Sequence, residues 1–336
     1  MASGERGTQA CPEPSRRKEG EGCWIGSKAV LIDTDPGTDD FIAILMALRS
    51  PALQVLGITT VGGNARLAHC TRNALRVLEH ASRADVPVAP GARRPLQGAF
   101  HYAYDFHGPG GLTVRLPRPS LRPSAERAEE FMARKVVERP GDVTLVALGP
   151  LTNVARLLER RPEAARRLRG LVVMGGALSC PGNVTPYAEF NFHNDPEAAR
   201  RVLNSGLPIT LVPLDACRQA TLGREELRPY LEGGPDARFV GRLLAGWFRR
   251  RPPNARYDLC DPLAMAVAVD PAVMPAERRS VSVETQDRGK RGMSRVVKGN
   301  GAVAVPSRVD VQGFFGLLKT TLGALGANEN RPSSPP

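Results

Sequence analysis

Four carboxylates crowd into one short stretch, Asp33-Thr34-Asp35-Pro36-Gly37-Thr38-Asp39-Asp40, directly after the apolar run Ala29-Val30-Leu31-Ile32. On a strand, residues two apart point the same way, which pairs Asp33 with Asp35. The Pro-Gly turn then lets Asp39 and Asp40 open a helix whose free amides favour negative charge. Capping that helix needs one carboxylate, and four that converge repel one another unless a cation, protons or basic groups compensate them. Carboxylate oxygens select hard ions, so a calcium or magnesium site is the economical reading. An EF-hand is excluded, because its loop wants glycine sixth and glutamate twelfth, where Thr38 and Ile44 stand. An apolar strand followed by D-x-D also opens phosphatases of the haloacid dehalogenase type, in which Asp33 or Asp35 would be the nucleophile and magnesium the ion. The inserted Pro36 and the Asp39-Asp40 pair fit that scheme poorly.

The elements that position these residues repeat one pattern. An apolar run ends in a small polar cluster and a helix follows: Ala29 to Ile32 before the acidic turn and a helix from Phe41 to about Leu48, then Leu53 to Val61 before Gly62-Gly63-Asn64. The same holds for Asp142 to Leu148 before Gly149-Pro-Leu-Thr-Asn153, Leu171 to Met174 before Gly175-Gly176, and Ile209 to Leu214 before Asp215. Strands apolar on both faces and alternating with helices predict an α/β fold, a mostly parallel sheet flanked by helices in the Rossmann-like manner, with ligands beyond the carboxyl ends of the strands. Asp195-Pro196 and Asp261-Pro262 each read as a helix start with Asp at the N-cap and Pro first. Gly91 to Pro123 lacks helical periodicity and reads as a long functional loop. Residues 1–27 and 326–336 read as disordered extensions around a single domain, residues 28–325.

Composition agrees with one folded enzyme-sized unit: 336 residues, 42% apolar and 24% charged. No apolar run approaches the roughly 20 residues of a membrane span, and the six cysteines are scattered without a CxxC pair, so a cytoplasmic protein with free thiols is expected and no membrane partner. The formal charge of +12 would suit a nucleic-acid binder, but the arginines are spread along helices and aromatics are only 5%. With few stacking platforms, no nucleic-acid partner is expected.

The acidic turn resembles the amino-terminal signature of the inosine-uridine preferring nucleoside hydrolases. The similarity continues in the family's order through Thr60-Val-Gly-Gly-Asn64, Phe106-His-Gly108, Gly149-Pro-Leu-Thr-Asn153, Met174-Gly-Gly176, Gly182-Asn-Val-Thr-Pro-Tyr-Ala-Glu-Phe-Asn191, Asp195-Pro-Glu-Ala-Ala199 and Asp261-Pro262, over about residues 28–325. The resemblance implies hydrolysis of the N-glycosidic bond of purine or pyrimidine ribonucleosides with one Ca²⁺ per chain. By that likeness Asp35, Asp40, Asp261 and the carbonyl of Leu148 hold the ion, and Asp35 activates a water that it carries. Asp39, Asn64 and Asn191 would take the ring-edge hydroxyls, and Asn183 with Glu189 the 5′-hydroxyl. Glu189 and Asn191 alternate with Phe190 and Phe192, as on an extended segment with one polar face. A homodimer or homotetramer is the family's habit.

One position departs from the family pattern. Cys260 stands where well-studied members have a histidine that helps to protonate the leaving base, and a thiol is the poorer acid-base group near neutrality. His107, in the flexible setting Phe106-His107-Gly108, becomes a candidate proton donor beside Cys260, with Arg256 and Tyr257 as further options. Trp247 and Phe248 share helical spacing with Leu243 and Leu244 and read as packing. Three readings follow: a calcium-dependent nucleoside hydrolase, a magnesium-dependent phosphatase, and a ribose-binding or sensing protein without turnover.

Overall fold

In the computed structural model, which describes residues 26–324, the apolar runs become strands of one nine-stranded sheet. The strands are β1 (Lys28–Thr34), β2 (Leu53–Thr60), β3 (Val88–Pro90), β4 (Thr144–Ala147), β5 (Gly170–Met174), β6 (Ile209–Val212), β9 (Ala276–Val283), β10 (Ser294–Val297) and β11 (Val303–Pro306), and β7 (Thr221–Gly223) pairs with β8 (Arg256–Asp258) in a separate antiparallel ribbon. The sheet order is β10-β9-β11-β6-β5-β4-β1-β2-β3, and within it β9 runs antiparallel to both its neighbours while the other pairings are parallel. This is the mostly parallel architecture expected, with β1 and its acidic turn inside the sheet, third from the β3 edge.

Both faces of β1 are covered. Val30 and Ile32 pack with the helix Thr38–Arg49, while Ala29 and Leu31 pack on the opposite face with Phe131 and Met132 of the helix Ala128–Glu138 and Val154 of the helix Thr152–Arg160. Helix Thr38–Arg49 is buried on nearly every side, because the apolar helix Cys260–Val269, itself packed on β4, β5 and β6, lies beside it. Its Ile42, Ile44 and Leu45 are wholly buried, each worth roughly 2 kcal/mol relative to exposure. The pairing of these two helices brings their first turns together, and those turns carry Asp39 and Asp40 on one helix and Asp261 on the other.

Several local expectations shift. The first helix begins at Thr38, three residues before Phe41, so Asp39 and Asp40 lie inside its first turn. The helix expected to start at Asp261-Pro262 starts at Cys260 with Leu259 as N-cap, which puts Pro262 third, still in the first turn where no N–H is missed. Asp195 does cap the helix Pro196–Leu203, accepting from Ala198 N at 3.1 Å, and it also takes Leu96 N at 2.8 Å and the Thr152 hydroxyl at 2.6 Å. The stretch Gly91–Pro123 is largely irregular, broken by the short helix Tyr104–His107 and a 3-10 turn at Pro109–Gly111. No helix among the described residues is long and apolar enough to cross a membrane. The expectations for residues 1–25 and 325–336 lie outside the described residues.

Candidate active site

The acidic turn divides its carboxylates between two tasks. Asp33 turns away from the others: it is fully buried, accepts from the Thr59 hydroxyl at 2.6 Å and from Asn153 Nδ2 at 2.8 Å, and burial pushes its pKa up to about 7. The expectation that Asp33 and Asp35 point the same way therefore fails, because β1 ends at Thr34 and the alternation ends with it. Asp33 ties β1 to β2 and to the helix Thr152–Arg160, and it does not line the cavity described below. That removes it as the exposed nucleophile a D-x-D phosphatase would need.

Asp35 faces the other way and is held by close backbone. Its Oδ2 accepts from Asn64 N at 2.6 Å, and a Cβ at Gly63 or Gly149 would come within 2.0 or 2.5 Å of its carboxylate oxygens. Glycine at those two positions is what lets the ends of β2 and β4 close on the side chain. Asp40 accepts from the Thr34 hydroxyl, from Gly37 N at 2.8 Å and from Asn64 Nδ2 at 3.0 Å. One oxygen each from Asp39, Asp40 and Asp261 lie within 4.8 Å of one another.

The electrostatics of this group are uncompensated within the protein. Burial, and after it the charge of Asp40, raises Asp35 and Asp261 well above the usual carboxylate range and carries Asp39 up to about 8. Asp40 is raised by burial too. Asp35 Oδ1 and Asp39 Oδ1 are buried without a hydrogen-bond partner, and among the described residues no lysine or arginine pairs with any of the four. His107 Nδ1, 4.0 Å from Asp39 Oδ1, gives no positive charge. It accepts from Thr38 N at 3.1 Å, and burial followed by Arg251 lowers its pKa to about 3. Buried, oxygen-only, mutually repelling and with lone pairs unspent, this donor set fits a hard divalent cation.

Above the carboxylates lies a cavity of about 430 Å³, lined by Asp39, Asn64, His107, Leu148, Asn183, Glu189, Asn191, Cys260 and Asp261. Of the residues singled out from sequence, Asp35 and Asp40 alone sit beneath this lining. The volume is within the range of small-molecule sites. Glu189 reaches it differently from the extended segment expected. It is the N-cap of the short helix Phe190–Asn194, accepting from Asn191 N at 2.8 Å, Phe192 N at 3.0 Å and Gly176 N at 2.9 Å. Burial raises its pKa and those three bonds oppose the rise. Asn191 Nδ2 donates to the Leu148 carbonyl at 2.7 Å, and the exposed Asn183 accepts from Phe190 N at 2.9 Å.

The outer wall comes in large part from the stretch Gly91–Pro123, legible in the sequence as a functional loop but not residue by residue. His101, Tyr102, Asp105 and Phe106 line one side and Asp258 of β8 the other. Phe106 packs edge-on against Trp247 at 5.4 Å, and Trp247 against Tyr257 at 4.8 Å, so Trp247 is packing behind the wall, as its helical spacing suggests. Arg256 is excluded as a proton donor, since its exposed side chain is tied to Thr221, Glu225 and Glu226. Tyr257 is buried with its hydroxyl unpartnered, and burial together with Asp39 raises its pKa. Cys260 is buried beside Cys217, and the hydrogen bond between the two free thiols, then burial, pushes its pKa well up, so the thiol stays protonated.

A family model described as inosine-uridine preferring nucleoside hydrolase matches residues 30–316. Uridine nucleosidase 1 of Arabidopsis thaliana is 39% identical over 313 residues, which span 87% of this chain and 92% of that protein. The pyrimidine-specific ribonucleoside hydrolase RihA of Citrobacter koseri is 40% identical over 307 residues, 87% of this chain and 97% of that one. Among solved structures, the plant nucleoside hydrolase PpNRh1 superposes with a TM-score of 0.83 at 33% identity, covering 89% of this chain and 99% of its own. A purine-preferring ribonucleoside hydrolase from Gardnerella vaginalis gives 0.83 at 29% identity, covering 88% and 98%. Fold, pocket and these relatives define a hydrolase of N-glycosyl bonds. The chain belongs to the inosine-uridine preferring nucleoside hydrolase family.

Proposed function

We propose that this chain hydrolyses ribonucleosides to free base and ribose, with pyrimidine nucleosides such as uridine first among its substrates, and that it does so with one bound calcium ion. The observation that carries the reading is the cluster of buried, unneutralised carboxylates at the floor of a sugar-sized polar cavity. The preference for pyrimidines rests on the names of the relatives near 40% identity. Asp35, Asp40, Asp261 and the Leu148 carbonyl would hold the ion, which when bound supplies Lewis-acid polarisation and a seat for hydroxyl oxygens.

The protein's own groups do the rest. Asp35 Oδ1, which has no partner in the protein, takes a proton from the attacking water as general base. Nearby carboxylates stabilise the oxocarbenium-like charge that develops at the anomeric carbon. Asp39, Asn64 and Asn191 orient the ring-edge hydroxyls. Glu189 has one bond on Oε1 and two on Oε2, which leaves Oε1 able to accept the 5′-hydroxyl beside Asn183. His107 is neutral with Nδ1 accepting, so its Nε2–H offers a hydrogen bond to the departing base but little acid strength, and the protonated Cys260 thiol lines the same wall.

On this reading the enzyme works in the cytoplasm, where unpaired thiols such as Cys70, Cys217 and Cys260 persist, as a homodimer or homotetramer. Reducing-sugar release from uridine, cytidine, inosine, adenosine and guanosine, with and without a chelator, tests it. Uridine cleavage that a chelator abolishes and calcium restores supports the reading. Binding of nucleosides without sugar release would overturn it in favour of a ribose-binding protein.

A further inference from the structure

Away from the nucleoside cavity, at the β3 edge of the sheet, a second concavity of about 280 Å³ lies between the helix Leu67–His80 and the loop that follows Leu116. It shares no lining residue with the first. Four exposed arginines, Arg72, Arg93, Arg118 and Arg122, stand on its rim. Among the described residues, none of these guanidiniums forms an ion pair or donates a hydrogen bond. Its floor is apolar, made by Leu67, Leu75, Pro90 and Leu121.

The rim is held in place. Arg76 of the helix donates to the carbonyls of Leu116 at 2.7 Å and Pro117 at 2.8 Å, and Glu79, one turn on, takes the Ser120 hydroxyl at 2.6 Å and Leu121 N at 2.9 Å. These bonds seat the loop that carries Arg118 and Arg122 against the helix that carries Arg72. They also hold Glu79 against the loop, and among the described residues it forms no ion pair with a rim guanidinium. The neighbours register the excess charge: after burial, Arg72 is what lowers the pKa of Arg76 and, with Arg66 and Arg76, that of His69.

We propose that this concavity is a second binding site, for a phosphate monoester whose body carries an apolar or aromatic face, as a nucleoside monophosphate does. Four unpaired guanidiniums around one concavity suit a dianion with three terminal oxygens better than a single carboxylate. The apolar floor takes the body of the ligand, and the volume, at the small end of ligand sites, selects a single monomer over a polymer.

Isothermal titration of the full chain with uridine 5′-monophosphate, ribose 5-phosphate and inorganic phosphate separates the sources. The nucleotide should bind more tightly than the sugar phosphate, whose hydroxylated body gains little from the floor, and increasing salt should weaken both. The double variant Arg72→Gln, Arg122→Gln should weaken ester binding by about 100-fold, taking roughly tenfold for each guanidinium–phosphate hydrogen bond removed, while uridine hydrolysis is retained. The double variant Arg167→Gln, Arg169→Gln, which removes the same charge elsewhere, should bind normally. No ester binding, equal weakening in both double variants, or ester binding that uridine competes away and Arg72→Gln, Arg122→Gln leaves intact would each overturn the site. Inorganic phosphate or ribose 5-phosphate binding as tightly as the nucleotide would overturn the role of the apolar floor.

Discussion

On the proposed calcium-bound reading, chelating the ion should make the protein lose stability as pH rises through neutrality. Asp39 illustrates the size. Its carboxyl is carried from 3.8 to about 8 by burial and by Asp40, so without a cation its contribution is fully present below pH 3.8 and is lost as pH rises through about 8. That interval corresponds to at most about 6 kcal/mol. Since 14% of the Asp39 side chain is exposed, screening removes part of this and about 3 kcal/mol is the working figure. At roughly 2–4 °C per kcal/mol for a chain of this size, the whole interval is worth about 10 °C, and the part of it above pH 6.5, about one third, is worth about 3 °C. His107 acts in the opposite sense: with its pKa lowered from 6.5 to about 3, stability is lost as pH falls through that window. The clean interval is therefore pH 6.5 to 8.5. Calorimetry across it, in chelator and in calcium, should show a falling melting temperature in the first and a flat one in the second, because a bound cation holds the carboxylates ionised. A melting temperature in chelator that is flat or rises would refute the claim that these carboxylates repel one another for want of a cation.

Asp35→Asn should fold and lower turnover on uridine by at least ~100-fold, with elemental analysis run alongside to show whether the ion was kept; near-normal turnover removes Asp35 as the base. A riboside with a good leaving group, such as p-nitrophenyl riboside, should be cleaved much faster than inosine, because neither the His107 imidazole nor the Cys260 thiol is a strong acid here. Equal rates on the two substrates would show that an effective proton donor is present. Glu189→Ala should cost about 3 kcal/mol in urea denaturation by stranding the amides of Gly176, Asn191 and Phe192, and a loss confined to KM would make Glu189 a substrate contact alone.

The sequence carries most of the sheet because the strands near its centre are apolar on both faces and each ends in a short polar cluster. β9 begins Ala276-Glu277-Arg278-Arg279, exposed, and β3 is three residues long, so neither offers that signal. The site residues are legible by type and motif, while their directions are not. Asp33 and Asp35 separate because a strand ends between them, and Glu189 caps a helix because three amides converge on it, facts of tertiary geometry that spacing does not encode. Asp261 joins Asp39 and Asp40 only through the packing of two buried helices. The wall of His101, Tyr102 and Phe106 comes from Gly91–Pro123, whose lack of periodicity marks it as a functional loop without saying which of its side chains face the cavity.

The central claim is best tested by incubating the purified chain with uridine in calcium and measuring uracil and reducing sugar together. Equal amounts of uracil and ribose, formed only when the ion is present and not by Asp35→Asn, are expected. Uridine left intact by calcium-loaded protein, or phosphate released from uridine monophosphate in place of ribose from uridine, would contradict it.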